Sequence, residues 1–181
     1  MISRKPIFVA GIHGVGKTHL CKELSTLLDL RHMSAGELIR RSKQEALTTD
    51  KNVVNVRQNQ DLLVTALNDY LQREPLDLLD GHFCLLKGNG QIEKISGTVF
   101  EQISPLAVVI LRDDPDAVRK RLESRDSSQY ASVLLQDLQH CEVQHATAVC
   151  RDYGFPLIIK NPNIAHERAE IIEHVKGWVS A

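Results

Sequence analysis

The stretch GIHGVGKTHL, residues 11–20, constrains the fold of this chain more than any other part of the sequence. It fits the pattern G-x-x-x-x-G-K-T, follows the apolar run IFVA at 7–10 and precedes leucines at helical spacing. Glycines let backbone N–H groups converge on an anion, because they lack obstructing side chains and adopt positive φ at little cost. A helix that begins near Lys17 adds the positive end of its dipole. The stretch therefore predicts a phosphate-binding loop between a buried strand and a helix.

The same loop predicts ATP with Mg²⁺ as its ligand. Lys17 would bridge the β- and γ-phosphates, and the Thr18 hydroxyl would bind Mg²⁺. The predicted ATP-binding residues are Gly11, Gly14, Val15, Gly16, Lys17, Thr18 and His19. The His13 and His19 imidazoles have no evident partner in the sequence, so we interpret these two side chains as incidental.

Short apolar runs alternate with longer helical patterns through the rest of the chain, which is typical of a parallel sheet covered by helices. The predicted strands span 7–10, 30–33, 76–80, 106–111 and 156–160. The predicted helices span 17–29, 34–46 and 55–73, with three more after Asp113, before Gly154 and around Ile171. Between residues 83 and 95, the sequence KGNG separates two short apolar stretches and favours a small hairpin or an irregular excursion.

The composition bounds the class of protein. The chain has 181 residues, 43% of them hydrophobic, which is enough for one compact domain with a core. Its net charge of -1 and its interspersed charges do not indicate a basic surface that would bind nucleic acid or an anionic membrane. The four cysteines form no C-x-x-C pair, and no apolar run has the length of a signal-peptide core or a membrane span. We therefore expect buried thiols and a soluble cytoplasmic protein without membrane or nucleic-acid partners.

Three further segments, in order after the loop, resemble adenylate kinases and related nucleoside monophosphate kinases. MSAGELIRR at 33–41 resembles the start of their monophosphate-binding region, LLDG at 78–81 the strand whose aspartate supports magnesium, and RKRLESRD at 119–126 the arginine-bearing start of the lid. The DGH that ends the strand and the short region after Arg125 are more similar to the archaeal-type adenylate kinases.

The resemblance implies an α/β fold: a three-layer P-loop NTPase fold with a five-stranded parallel sheet in the order 2-3-1-4-5 and helices on both faces. Residues 1–181 would form a single P-loop kinase domain. Within it, residues 34–73 would form the monophosphate-binding helical region and residues 121–130 a short lid.

Transfer between two nucleotides needs cations around the migrating phosphoryl group, and arginine suits this because its planar fork holds phosphate oxygens bidentately. The predicted catalytic residues are Lys17, Arg121, Arg125 and Asp80. Asp80 would hold Mg²⁺ together with Thr18, because an acid at the end of an apolar strand is costly to bury without a partner.

The acceptor site is less explicit in the sequence. Its predicted residues are Ser34, Gly36, Arg40, Arg57, Gln60 and His82, with AMP as the first expected acceptor. Arg40 would hold the acceptor phosphate, and an amide such as Gln60 can pair with adenine. The common adenylate kinases have a Phe-Pro-Arg signature after the strand aspartate, whereas this chain has Gly-His-Phe-Cys at 81–84. Arg57, Lys87 or His82 would have to replace the missing arginine.

Two other classes of function stay open on the sequence. A kinase of a hydroxyl-bearing metabolite or a nucleic-acid end would use Asp80 or His82 as its general base. An ATP-binding regulatory protein would hydrolyse ATP slowly and act through interactions. The second half of the lid has few cations, so a neighbouring subunit could complete the site, which makes a homo-oligomer possible.

Overall fold

A computed structural model describes residues 5–47, 56–126 and 130–180 of the chain. The strands, in chain order, are β1 (Ile7–Ala10), β2 (His32–Ser34), β3 (Leu78–Gly81), β4 (Cys84–Leu86), β5 (Ile92–Lys94), β6 (Ala107–Leu111) and β7 (Leu157–Lys160). The helices are α1 (Lys17–Leu28), α2 (Ala35–Leu47), α3 (Val56–Arg73), α4 (Gly97–Ile103), α5 (Pro115–Asp126), α6 (Ser132–Tyr153) and α7 (Ala165–Ser180).

Five of the strands form one parallel sheet in the order β2-β3-β1-β6-β7. Counted within this sheet, the order is 2-3-1-4-5, which confirms the predicted topology. The remaining two strands, β4 and β5, pair antiparallel around the KGNG turn, as the hairpin prediction requires. Because all five sheet strands run the same way, their carboxyl ends meet at one edge, where ligands bind in folds of this kind.

Helices cover both faces of the sheet, which confirms the predicted three layers. On β1, Ile7 and Val9 join a core cluster with residues of α1, α5 and α7. The alternate residues Phe8 and Ala10 join a second cluster with residues of α3, α4 and α6. A strand covered on both sides needs apolar residues at every position, which explains why β1 and β6 read as continuous apolar runs.

The short helix α4 was not predicted. The Ser96 side chain accepts a hydrogen bond from the Thr98 N–H and so caps the helix. Val99, Phe100 and Ile103 are buried against the second core cluster. Seven residues give too few turns for a helical period to be recognised in the sequence.

Two predicted regions lie partly outside the described residues. Positions 48–55 of the monophosphate-binding region and positions 127–129 of the lid belong to this undescribed part. The four cysteines are thiols, of which Cys21, Cys84 and Cys150 are buried and Cys141 is half-buried. Among the helices in the described ranges, none is long and apolar enough to cross a membrane.

Candidate active site

The glycine loop follows β1 and ends where α1 begins at Lys17. Gly11, Gly14 and Gly16 have φ of +146°, +78° and +109°. A Cβ on Gly11 would lie 2.6 Å from the carbonyl oxygen of Leu111, the last residue of the neighbouring strand β6. Only glycine fits there, because both the positive φ and the backbone contact exclude a side chain. The loop is therefore built against the carboxyl end of the sheet.

The lysine of the loop is held inside it. Lys17 is only 8% exposed, and its Nζ donates hydrogen bonds to the carbonyl oxygens of Gly11, at 2.6 Å, and Ile12, at 3.0 Å. Burial lowers the pKa of Lys17 to about 8, while the carboxylates of Glu142 and Asp80 act in the opposite direction. The ammonium group is thus partly desolvated, which strengthens its attraction to an incoming phosphate.

Asp80 lies at the end of β3 and is buried at 5% exposure. Its Oδ2 is 2.6 Å from Nε2 of His32 on the adjacent strand β2. His32 is thus the partner of this buried acid within the protein, and the sequence pattern did not reveal it. The register of the two parallel strands pairs His32 with Leu78 and Ser34 with Asp80, so His32 lies two residues along the same strand face from the position opposite Asp80.

The residues predicted for Mg²⁺ fit that ion. Thr18, in the first turn of α1, and Asp80 line the same cavity. A hydroxyl oxygen and a carboxylate oxygen are donors of the hard type that Mg²⁺ takes.

A single cavity of about 700 Å³ extends from the glycine loop to residues that were predicted for the acceptor. The predicted site residues that line it are Gly14, Gly16, Lys17, Thr18, His19, Ser34, Gly36, Gln60, Asp80, His82, Arg121 and Arg125. Part of its lining is apolar and consists of Phe8, Ala35, Ile39, Leu63, Leu85, Ile95, Val99 and Phe100. Gly11 and Val15 are buried in the loop and are not among the lining residues. The structure therefore brings most of the predicted donor and acceptor residues to one place.

Of the predicted acceptor cations, Arg40 is not among the residues that line this cavity. Arg40 is exposed on α2, where its guanidinium binds the carboxylate of Glu37, with Nη2 to Oε2 at 2.6 Å. An i,i+3 pair of this kind forms readily on a helix surface, so it holds the side chain on α2. Arg57 lies in the first turn of α3, and its side chain is outside the part of the chain that the structure describes. The acceptor roles of both arginines stay predictions.

Ser34 has a structural role as well as a place in the cavity. Its Oγ accepts the backbone N–H of Glu37 at 3.1 Å, so it caps the start of α2. This is the first half of a capping box, S-x-x-E, that the sequence displays at 34–37.

His82 follows β3 and faces the loop. Its ring lies against that of His13, with 4.3 Å between the centroids. Burial, followed by the nearby Lys17 and His13, lowers the pKa of His82 to about 2. The imidazole is therefore neutral near pH 7 and a weak base, although it can still donate or accept one hydrogen bond.

Arg121 and Arg125 lie on α5 and line the cavity, as their spacing of four predicts. Arg121 forms an ion pair with Asp113. The Asp113 carboxylate also accepts hydrogen bonds from Nδ2 of Asn161 and of Asn163, at 2.8 and 2.7 Å. Asn163 lines the cavity but was missed in the sequence, although NPN directly follows a strand at the ligand-binding edge.

The most deeply buried charged residue in the described ranges is Glu142 on α6, at 0% exposure, and it was not among the predicted site residues. Its Oε1 accepts the N–H groups of Gly11 and Phe83, at 3.1 and 2.9 Å, and its Oε2 accepts that of Cys84, at 2.6 Å. Burial raises the pKa of Glu142 to about 7, against these hydrogen bonds and Lys17. The signal was its position, because Glu142 lies four residues from both Leu138 and Ala146 on the inward face of α6.

Comparison with known proteins identifies the family and the fold of the chain. A family model described as an AAA domain matches residues 10–139. A cytidylate kinase from Sulfolobus acidocaldarius is 28% identical over 155 residues, which cover 84% of this chain and 78% of the relative. Among solved structures, a gluconokinase from Sinorhizobium meliloti 1021 aligns with a TM-score of 0.51 and 13% identity, covering 97% of this chain and 92% of that one. The structural match shows the fold alone.

Proposed function

Because this chain belongs to the AAA domain family and shares its fold with a P-loop kinase, we propose that it transfers the γ-phosphoryl group of Mg-ATP to a nucleoside monophosphate. The observation that carries the proposal is the one cavity that joins the phosphate-binding loop to Ser34, Gln60 and His82. A phosphotransferase needs donor and acceptor in one enclosed space, with water excluded.

The chemistry follows from the residues around the loop. Lys17 and the loop N–H groups would stabilise the charge that develops on the transferred phosphoryl group. Arg121 and Arg125 would hold the same group without belonging to either nucleotide. Thr18 and Asp80 would bind Mg²⁺, which supplies charge neutralisation on the β- and γ-phosphates when it is bound.

The apolar lining of the cavity supports a nucleotide acceptor. A nucleobase presents two flat faces that pack on side chains such as Leu63 and Phe100, whereas a polyol would leave hydroxyl groups without partners there. The Gln60 amide could pair with the edge of the base. AMP is the first acceptor that we propose, from the resemblance to adenylate kinases, and CMP the second, because one relative is a cytidylate kinase.

A hydroxyl-bearing acceptor is the second candidate, and the position of Arg40 favours it. With Arg40 bound to Glu37, the acceptor side of the cavity has no arginine among the residues whose side chains are described. A hydroxyl acceptor would need a general base, and the low pKa of His82 leaves Asp80 for that role.

The test measures ADP formation with a panel of nucleoside monophosphates and polyols, with ³¹P NMR identifying the product. We expect at least one monophosphate to stimulate ADP formation and to give the nucleoside diphosphate. Stimulation by a polyol or sugar acid alone would support the hydroxyl kinase. Slow hydrolysis that no acceptor changes would support an ATP-binding regulatory protein. Lys17→Ala is the control for contaminating kinases, because it removes the loop cation.

A further inference from the structure

We propose that Glu142 is a positioning residue that fixes the glycine loop relative to the acceptor loop after β3. Its carboxylate binds Gly11 on one side and Phe83 and Cys84 on the other. These segments are remote from α6 in sequence, and the Glu142 carboxylate binds both of them. The activity part of this inference rests on the proposed function.

The bonding around Glu142 is nearly complete. An ionised carboxylate offers about four lone-pair sites, and three of them are taken by backbone N–H groups. Burial raises the pKa of Glu142 to about 7, and above that pH the carboxylate is ionised and accepts hydrogen bonds roughly twice as strong as those between neutral groups. Because Glu142 is fully buried, water cannot replace any of these bonds. The carboxylate therefore joins the two loops more firmly than apolar contact would.

Each end of this bridge is next to a group of the active site. Gly11 donates its N–H to Glu142, and its carbonyl oxygen accepts a hydrogen bond from Lys17 Nζ. The Phe83 N–H follows directly after His82, which lines the cavity. A shift of either loop would therefore move the donor cation or the acceptor wall. A misplacement of about 1 Å can cost roughly 100-fold in rate.

Glu142→Gln tests the bridge with little change of shape. The amide turns one acceptor oxygen into a donor, so either the Cys84 N–H or the N–H groups of Gly11 and Phe83 lose their acceptor. The remaining amide oxygen is neutral, which weakens the bonds that both loops keep. We expect kcat for transfer to fall about 10- to 100-fold, while KM for ATP changes less than threefold. The ratio of ATP hydrolysed to phosphoryl group transferred should rise. Glu173→Gln, the same change at an exposed position of α7, is the matched control and should behave as the wild type.

Hydrogen–deuterium exchange gives a readout that does not depend on an acceptor. In Glu142→Gln, peptides that contain residues 11–16 and 82–86 should both lose protection, while peptides of α1 and α7 keep theirs. If Glu142→Gln does not fold, Glu142→Asp replaces it, because aspartate keeps the charge but shortens the side chain by about 1.5 Å.

The outcomes are distinguishable. Loss of protection throughout the chain, or equal falls in hydrolysis and transfer, would show a merely structural Glu142 and overturn the inference. Unchanged protection in either loop would also overturn it. If the wild type phosphorylates no acceptor, the proposed function fails, while joint loss of protection in the two loops would still support the bridge.

Discussion

At the scale of single residues, burial sets the properties of the candidate site. Lys17, Asp80 and Glu142 are the buried charged residues in the described part of the chain, and all three lie around the glycine loop. Buried charges need partners, and each finds one in the protein: carbonyl oxygens for Lys17, His32 for Asp80 and backbone N–H groups for Glu142. The loop is thus organised before any nucleotide binds.

The lowered pKa of Lys17 predicts how ATP use depends on pH. The ammonium group is charged below about pH 8 and neutral above it, and only the charged form attracts phosphate. The value of kcat/KM for ATP should therefore fall as the pH rises through about 8, because this parameter reports on the free enzyme. Any activity that Lys17→Arg retains should not show this fall, since guanidinium stays charged. A flat profile to pH 10 in the wild type would contradict the prediction.

The backbone conformation of Gly11 leads to a second prediction at this scale, which concerns stability. Gly11→Ala would strain a residue at φ +146° and place its Cβ 2.6 Å from the Leu111 carbonyl oxygen. Backbone strain of this kind costs about 1–3 kcal/mol, and we expect at least that loss in the free energy of unfolding, measured in urea. Gly88→Ala is the control, because nothing lies within 4 Å of the new Cβ there. Equal stability of the two variants would contradict the steric argument.

At the scale of elements, aromatic packing behind the cavity supports the loop that follows β3. The rings of Phe83 and Phe100 are stacked with 3.9 Å between their centroids, and Phe8 on β1 meets both edge to face. Helix α4, which the sequence did not reveal, supplies Phe100. The loop after β3 is therefore held by an aromatic cluster as well as by Glu142.

This packing predicts the effect of Phe100→Ala. Truncation of a buried phenylalanine typically costs about 3–5 kcal/mol, and Phe100 is 1% exposed. We expect a loss of that size in chemical denaturation and a weaker acceptor affinity, because the ring also lines the cavity. Val133→Ala, at an exposed position of α6, should change the unfolding free energy by about 0.5 kcal/mol or less. A small effect at Phe100 would show that the cluster is not a support.

At the scale of the whole molecule, nucleotide binding should be visible as stability. The loop follows the central strand β1 and contacts β6, α5 and α6, so a ligand there binds only the folded chain. A ligand at 100 times its Kd stabilises the folded state by about 2.7 kcal/mol.

Mg-ATP should therefore raise the Tm of the protein. For a chain of this size each kcal/mol shifts Tm by roughly 2–4 °C, so we expect an increase of about 5–10 °C at 100 times Kd. Lys17→Ala should keep the Tm of the nucleotide-free protein within a few degrees and lose most of this increase. Full retention of the increase in that variant would mean that the loop does not bind the phosphates.

The sequence by itself determined the features that depend on residues close together in the chain. The phosphate-binding loop is a contiguous pattern, and the strands and most helices are periodic runs whose bounds differ from the structure by at most two residues where both ends were predicted. The parallel order then follows from the family resemblance. Lys17, Thr18 and Asp80 could be predicted because each lies at the end of a recognisable strand or the start of a helix.

Only the tertiary structure decided which remote residues meet. Glu142 is 131 positions from Gly11, and His32 is 48 positions from Asp80, and no local pattern encodes either contact. Arg40 shows that a local contact can also override the resemblance. The family resemblance assigns its side chain to the acceptor, but Glu37, three residues away, binds it. Local sequence fixes secondary structure and the loop, whereas partners at such separations depend on how the helices pack on the sheet.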